Sequence, residues 1–182
     1  MPDNKPKPPI IGFCAYSGTG KTTLLTQLIP LLKTKRLKVT VIKHGHHTVE
    51  LDTPGKDTYQ MREAGANQVI LASKRRLALL LECEAQAEAS LEDALKLVNP
   101  HCADLILVEG FKREAIPKIE IHRPALGKPL LFPDDPLIIA LASDQTLDLS
   151  EYEHAPTQLD LNQLSSIVDF IEQQILGAAS QA

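Results

Sequence analysis

The residues of this 182-residue chain that could most directly do chemistry lie in one short stretch, residues 15–23, AYSGTGKTT. Gly18 and Gly20 come just before Lys21 and Thr22. A polyphosphate needs several converging backbone N–H donors, and glycines let the chain curl around the anion without obstructing side chains. The lysine can reach the terminal phosphates, and the threonine hydroxyl suits Mg²⁺. The spacing therefore predicts a phosphate-binding loop.

The segments on either side of this loop have the patterns of a strand and a helix. An apolar run from Ile10 to Ala15 precedes it, and leucines at helical spacing follow it. The helix would present its N-terminal N–H groups and positive dipole end to the same anion. We therefore predict a nucleotide site in which Lys21 also serves catalysis. The predicted nucleotide-binding residues in the loop are Ser17, Gly18, Thr19, Gly20, Lys21, Thr22 and Thr23.

One position departs from the pattern G-x-x-x-x-G-K-[ST]. Ala15 stands where the first glycine is expected. Because a Cβ disfavours positive φ, we expect an ordinary backbone conformation at this strand exit.

Two acidic residues follow apolar runs farther along the chain. Glu109 follows Leu105–Val108, and Asp144 follows Leu137–Ala142 and Ser143. An acid at the tip of a central strand can hold Mg²⁺ or orient an attacking water, so Glu109 is predicted as a catalytic and metal-site residue together with Thr22. The position of Asp144 is one where many P-loop GTPases place an acid against the guanine base, which makes it a candidate nucleotide-binding residue.

A polar segment between the second predicted strand and a short helix is the second candidate site. Its histidines and aspartate could bind a metal such as zinc. The alternative is a polar loop at the carboxyl end of a strand, where open α/β sheets bind their ligands. The residues favour the second interpretation, a switch or cofactor loop next to the phosphates. Its candidate residues are His44, His46, His47, Asp52, Lys56 and Asp57.

The alternation of strand and helix patterns predicts an α/β, three-layer fold of the P-loop NTPase type with a mostly parallel central sheet. We expect a tail at residues 1–9, a nucleotide-binding domain at 10–176 and a second tail at 177–182. Residues 67–83 and 113–136 are candidates for a small β-rich extension that mediates dimerisation. The first resembles a hairpin, and residues 117–123 alternate as a half-exposed strand does.

The composition restricts the class of protein. A 43% hydrophobic content indicates a globular chain, and the net charge of −4 gives no reason to expect nucleic acid. Three cysteines without a C-x-x-C pair are typical of reduced thiols. No run approaches the roughly 18 apolar residues that span a membrane. We therefore expect a cytoplasmic protein that is not attached to a membrane.

Three segments in order, AYSGTGKTTLL, KHGHHTVELDTPGKDTYQMREAGA and LILVEGFK, resemble the molybdopterin-guanine dinucleotide biosynthesis adapter family, the B protein of that pathway. The resemblance runs from about Ile10 to Ile175. It implies binding of GTP and Mg²⁺, weak GTP hydrolysis and a homodimer whose strands join across the subunits. It also implies partnership with the guanylyltransferase that attaches GMP to molybdopterin.

Two other functions stay open at this point. A small-molecule kinase would hold its acceptor with residues 43–57 and 112–123, but the arginines form no R-x-x-R lid. A GTP-driven metal chaperone would use the cluster His44–His47.

Overall fold

The structure, a computed structural model, describes residues 7–45, 51–83 and 89–179. The chain divides into two compact units. The first comprises Met1–His44 and Leu95–Ala182, and the second comprises Gly45–Ala94.

The first unit is built on a six-stranded sheet in the order β2-β5-β1-β6-β7-β8, in which every pairing is parallel. The prediction of an α/β fold with a parallel sheet is confirmed. Since all strands run the same way, their carboxyl ends lie at one edge. The strands are β1 Ile10–Cys14, β2 Val39–Lys43, β5 Leu105–Glu109, β6 Lys118–His122, β7 Ile138–Ser143 and β8 Thr157–Asp160.

Helices cover one face of this sheet. Helix α1 spans Lys21–Thr34 and includes Pro30 without ending there. It packs against α4, Leu164–Ile171, which continues through a π-helical turn, Glu172–Leu176, into Gly177–Ala179. Residues 177–179 therefore continue a helix rather than form part of a tail. This face forms the main core; its most buried members are Ile11, Phe13, Leu28, Leu32, Leu105, Leu107, Ile119, Ala140, Ala142, Ile167 and Ile171.

A smaller apolar cluster lies on the other face of the sheet. Cys14 and Leu141 contribute to it from the strands, and Phe132 and Leu149 from the irregular segments that follow β6 and β7. Burial raises the pKa of the Cys14 thiol to about 12, so this cysteine stays protonated and acts as a small apolar group.

Strand β6 differs from the expectation of a half-exposed strand, which is wrong: all five residues are buried. Its polar side chains are buried because other segments satisfy them. Lys118 lies 3.1 Å from Asp135 and donates to the Glu114 carbonyl at 2.7 Å. Glu120 accepts hydrogen bonds from the backbone N–H groups of residues 131 and 132, both at 2.9 Å. Residues 118–122 thus belong to the central sheet, so the β-rich extension expected at residues 113–136 does not include them.

The second unit contains a separate antiparallel hairpin, as predicted for residues 67–83. Strand β3, Gln68–Ala72, pairs with β4, Leu77–Leu81. The unit also contains α2, Asp57–Glu63, and α3 begins within it and spans Leu91–Lys96.

Candidate phosphate-binding site

The loop between β1 and α1 depends on two glycines with left-handed backbone conformation. Gly18 has a φ of +81° and Gly20 a φ of +99°, values that side chains with a Cβ rarely adopt. Only Arg36 and Phe111 have positive φ among the non-glycine residues that the structure describes. Ala15 therefore keeps an ordinary backbone, and that expectation is confirmed.

Hydrogen bonds hold three carbonyl groups of the loop. The Tyr16 carbonyl accepts from the Thr19 hydroxyl at 2.8 Å and from Lys21 Nζ at 3.2 Å. The Ala15 carbonyl accepts from Lys21 Nζ at 3.3 Å. The Thr19 carbonyl accepts from Arg123 Nε at 3.0 Å. Because a trans peptide directs its N–H opposite to its C=O, fixing these carbonyls also fixes where the following N–H groups point.

Helix α1 begins directly after the loop, with Gly20 at the N-cap position. Within the described residues, no side chain caps its first turn. Its first N–H groups and the positive end of its dipole are therefore left for an anion.

Lysine side chains lie beside the loop at this edge of the sheet, although the chain carries a net charge of −4. Burial lowers the pKa of Lys21, and the positive charge of Lys112 acts in the same direction. The Lys112 ammonium itself lies 5.2 Å from the centre of the Tyr16 ring. A bound anion would relieve the repulsion between these cations.

Glu109 and Thr22 meet at this edge, as the sequence suggested. The Thr22 hydroxyl donates to Glu109 Oε1 at 2.8 Å, and Lys43 Nζ lies 3.5 Å from the same oxygen. The sheet explains the meeting: Glu109 ends β5 between β1 and β2, in register with Phe13 on one side and Lys43 on the other. Glu109 is 8% exposed, so its carboxylate is held in place rather than solvated.

The chain turns sharply after Glu109. Gly110 has a φ of +93° and Phe111 a φ of +48°, and the Phe111 ring stacks on His44 with 4.4 Å between ring centres. A Cβ at Gly110 would lie 2.7 Å from His44 Cβ, so only glycine fits. This close approach places His44, the first residue of the predicted switch loop, beside the strand end that carries Glu109.

Asp144 follows β7 at the same edge. Its Oδ2 accepts from Arg123 Nη1 at 2.6 Å, whereas its Oδ1 is buried and has no hydrogen-bond partner among the described residues. Asp144 also lines a cavity of about 290 Å³ formed by residues 143–146, 158–160 and 162. That volume lies near the lower end for small-ligand pockets, and a carboxylate residue in its lining suits a base that carries N–H donors.

The remaining predicted residues are placed as follows. Ser17 and Thr23 are exposed in the loop and the first turn of α1. Asp52, Lys56 and Asp57 belong to the second unit, where Asp52 accepts from the Thr58 hydroxyl at 3.0 Å and lies 3.6 Å from Arg62. His46 and His47 lie outside the described residues.

The sequence placed Lys43, Lys112 and Arg123 only within the ranges of the alternative kinase acceptor site and predicted no role for them in nucleotide binding. Lys43 is the last residue of β2, and Arg123 directly follows β6. A position at the carboxyl end of a strand is the sequence signal that could have indicated a role in the site. Their partners are distant in sequence, since Arg123 and Thr19 are 104 residues apart.

The residues that the structure describes contain neither a metal-ligand cluster nor a helix that could span a membrane. No group of three or more His, Cys, Asp or Glu side chains there is arranged to hold a metal ion. Within residues 7–45, 51–83 and 89–179, no helix has the length and apolarity needed to cross a membrane.

The sheet is parallel, and a glycine-containing loop joins β1 to α1. A lysine and a threonine follow the loop, and the threonine contacts an acid on a neighbouring strand. These features define a protein of the phosphate-loop class. Within that class, residues 10–144 match the family model described as molybdopterin guanine dinucleotide synthesis protein B. The chain belongs to this family.

Curated relatives agree with this assignment. The chain is 44% identical to the molybdopterin-guanine dinucleotide biosynthesis adapter protein of Haemophilus influenzae over 165 residues, which cover 90% of this chain and 88% of the relative. It is 43% identical to the Escherichia coli adapter protein over 164 residues, covering 90% and 91%.

Solved structures show the same fold. A crystal structure of molybdopterin-guanine biosynthesis protein B superposes with a TM-score of 0.69 at 23% identity, covering 90% of this chain and 97% of that one. The structure of Bacillus subtilis MobB gives a TM-score of 0.64 at 22% identity, covering 92% and 97%.

Proposed function

We propose that this member of the adapter family binds GTP with Mg²⁺ and hydrolyses it slowly while supporting formation of the guanine dinucleotide form of the molybdenum cofactor. The observation that supports this most directly is the loop itself. Its carbonyls are held by Lys21, Thr19 and Arg123, its glycines adopt positive φ, and it leads into an uncapped helix N-terminus. These features suit a polyphosphate.

Lys21 would exchange its present contacts for the phosphates when a nucleotide binds. In the structure its ammonium contacts the carbonyls of residues 15 and 16, on the strand side of the loop. A bound triphosphate would offer it stronger, charge-assisted partners, and negative charge there would oppose the effects of burial and of Lys112, which both lower the pKa of the Lys21 ammonium.

The residues around Thr22 fit a magnesium ion. Mg²⁺ prefers oxygen ligands and usually keeps several of its waters. The Thr22 hydroxyl and the Glu109 carboxylate, 2.8 Å apart, offer one such oxygen directly and one through water. The ion, when bound, would neutralise charge on the phosphates. Glu109 would also be placed to orient an attacking water, with Lys43 steadying its carboxylate.

A preference for guanine is supported by Asp144. Guanine carries an N1–H and an N2 amino group on its Watson–Crick edge, whereas adenine has no proton at N1. Asp144 lines the cavity, and its carboxylate is an acceptor that would therefore favour the guanine edge over the adenine edge.

Membership of an adapter family supports partnership with other proteins. The relatives are named adapter proteins of molybdopterin-guanine dinucleotide biosynthesis. We propose that this chain acts as a homodimer and contacts the guanylyltransferase that attaches GMP to molybdopterin.

Equilibrium binding of GTP, GDP and ATP, with and without Mg²⁺, tests the proposal. We expect GTP to bind in a magnesium-dependent way and Lys21→Ala to weaken it about tenfold to a hundredfold, since a charge-assisted contact contributes roughly 1.5–3 kcal/mol. Lys33→Ala, which removes a lysine from the last turn of α1, is the matched control and should leave binding unchanged.

Three results would count against the proposal. Lys21→Ala could bind GTP as the wild type does, which would remove the loop from nucleotide binding. Rapid ATP-dependent phosphorylation of a small molecule would favour a kinase. Stoichiometric zinc in the purified protein, lost in His46→Ala/His47→Ala, would favour a metal chaperone.

A further inference from the structure

Arg123 occupies a position that connects two parts of the proposed nucleotide site. It follows the end of β6, and β6 lies between β1, which leads into the phosphate loop, and β7, which leads to Asp144. Neighbouring strands are about 4.8 Å apart, so a side chain leaving the end of β6 can reach the loops on both sides.

The guanidinium makes one hydrogen bond to each side. Nε donates to the Thr19 carbonyl at 3.0 Å, and Nη1 donates to Asp144 Oδ2 at 2.6 Å. The group is planar, so the direction of one hydrogen bond sets the direction of the other.

The contact with Thr19 acts on the anion-binding donors. Thr19 is 3% exposed, and the peptide that joins it to Gly20 is trans. With the Thr19 carbonyl held toward Arg123, the Gly20 N–H must point away from Arg123. The φ of +99° at Gly20 then carries the chain into the first turn of α1.

The contact with Asp144 acts on the carboxylate that lines the cavity. Arg123 holds Oδ2, and the carboxylate cannot rotate without losing this short hydrogen bond. The other oxygen, Oδ1, is thereby kept at one position as an acceptor that no described residue uses.

We propose that Arg123 is a positioning residue that couples the phosphate loop to the base-recognition carboxylate of Asp144. It orients the Gly20 N–H for the phosphates and the Asp144 carboxylate for the base, so that one side chain sets both the affinity for phosphate and the discrimination between guanine and adenine. This inference rests on the proposed nucleotide site.

The test uses three probes, GTP, ATP and inorganic tripolyphosphate, with the full-length chain. For Arg123→Gln we expect tripolyphosphate to bind a fewfold more weakly and the preference for GTP over ATP to fall about tenfold. For Asp144→Asn the same preference should fall while tripolyphosphate binding stays as in the wild type. Arg36→Gln removes the same charge beyond the far end of α1 and should change neither quantity.

If Arg123 acts through Asp144, the effects of the two substitutions on the preference for GTP over ATP should not add. A general loss of stability or charge would give additive effects. In an Asp144→Asn background, Arg123→Gln should no longer lower the preference for GTP, because the carboxylate that it positions is already disabled. Arg123→Lys keeps the charge without the planar fork and should lie between wild type and Arg123→Gln, which provides a second variant if Arg123→Gln folds poorly.

Two outcomes overturn the inference while leaving the proposed function standing. In the first, Arg123→Gln binds GTP more weakly but keeps the wild-type preference over ATP. In the second, it lowers that preference equally in the wild-type and Asp144→Asn backgrounds. If the wild type binds none of the three probes, the proposed nucleotide site fails and the inference fails with it.

Discussion

Glu109 illustrates how a single carboxylate can be prepared by the strands around it. Its oxygen Oε1 receives the Thr22 hydroxyl at 2.8 Å and lies 3.5 Å from Lys43 Nζ. Each of the three residues comes from a different element, and the parallel register brings their ends together. A charge held in this way is ready to act on a water or an ion without prior rearrangement.

Glu109→Gln should separate binding from catalysis. Glutamine keeps the size of the side chain and an acceptor for Thr22, but it loses the negative charge. GTP affinity should stay within a fewfold of wild type, whereas hydrolysis should slow by about tenfold or more, which corresponds to about 1.4 kcal/mol in the barrier. Single-turnover hydrolysis together with equilibrium binding measures both.

Glu153→Gln, at an exposed position of the same unit, is the control for the change of charge and should leave both quantities unchanged. Normal hydrolysis in Glu109→Gln would remove this carboxylate from the mechanism.

At the scale of elements, the turn after β5 is determined by one close approach. Ala at position 110 would combine a positive φ with a Cβ 2.7 Å from His44 Cβ, an atom too near the backbone to move aside easily. We expect Gly110→Ala to destabilise the protein by about 2 kcal/mol or more, from overpacking and backbone strain together. Chemical denaturation measures this difference.

Gly127→Ala is the matched control, because Gly127 has a φ of +58° and no atom within 4 Å of an added Cβ. It should cost less than Gly110→Ala. Equal costs would mean that backbone strain, and not the contact with His44, determines the turn.

The segment after β6 is attached to the sheet by buried charges. Lys118 is 1% exposed, while its partner Asp135 retains access to solvent. Asp135→Asn should therefore destabilise the protein by about 3 kcal/mol, because it leaves a buried ammonium without its counter-charge. Lys118→Met should cost less, because Asp135 can then be solvated and the methionine fills the apolar volume.

The test compares the free energies of unfolding of the two variants, and Asp135→Asn should show the larger loss. A larger loss for Lys118→Met would mean that the Lys118–Asp135 pair stabilises the segment mainly through packing.

These elements also show what the sequence can predict about the site. Gly18, Gly20, Lys21 and Thr22 are close in sequence, and their spacing alone predicted the loop. Glu109 could be predicted because a fully apolar run indicates a buried strand. The end of that run gives the position of the strand tip, where Glu109 lies.

Strand β6 was misinterpreted for a physical reason. Lys118, Glu120 and His122 alternate with apolar residues, which normally indicates a solvated face. Here hydrogen bonds and an ion pair from distant segments satisfy Lys118 and Glu120. Such compensation depends on tertiary contacts, so no local pattern reveals it; the contacts of Arg123 were missed for the same reason.

At the scale of the whole molecule, the hairpin of the second unit carries exposed apolar side chains on the side that holds Ile70 and Leu79. The register places Ile70 opposite Leu79, and Leu77 and Leu81 share their side of the sheet. All four are exposed, Leu77 at 79% and Ile70 at 63%, whereas on the opposite side Val69 is buried and Leu71 is exposed. A two-stranded hairpin is only marginally stable in water, and exposed apolar patches of this kind mark contact surfaces.

In the proposed homodimer, we expect this side of the hairpin to contact a second copy of the chain. Ile70→Thr/Leu79→Thr places a β-branched residue at both strand positions but removes much of the apolar surface. We expect the wild type to sediment as a dimer at micromolar concentration and the double variant to sediment as a monomer with the first unit still folded. Leu126→Thr, an exposed leucine outside the hairpin, should remain dimeric. A dimer unaffected by the double variant would place the contact elsewhere, and a monomeric wild type would contradict the proposed homodimer itself.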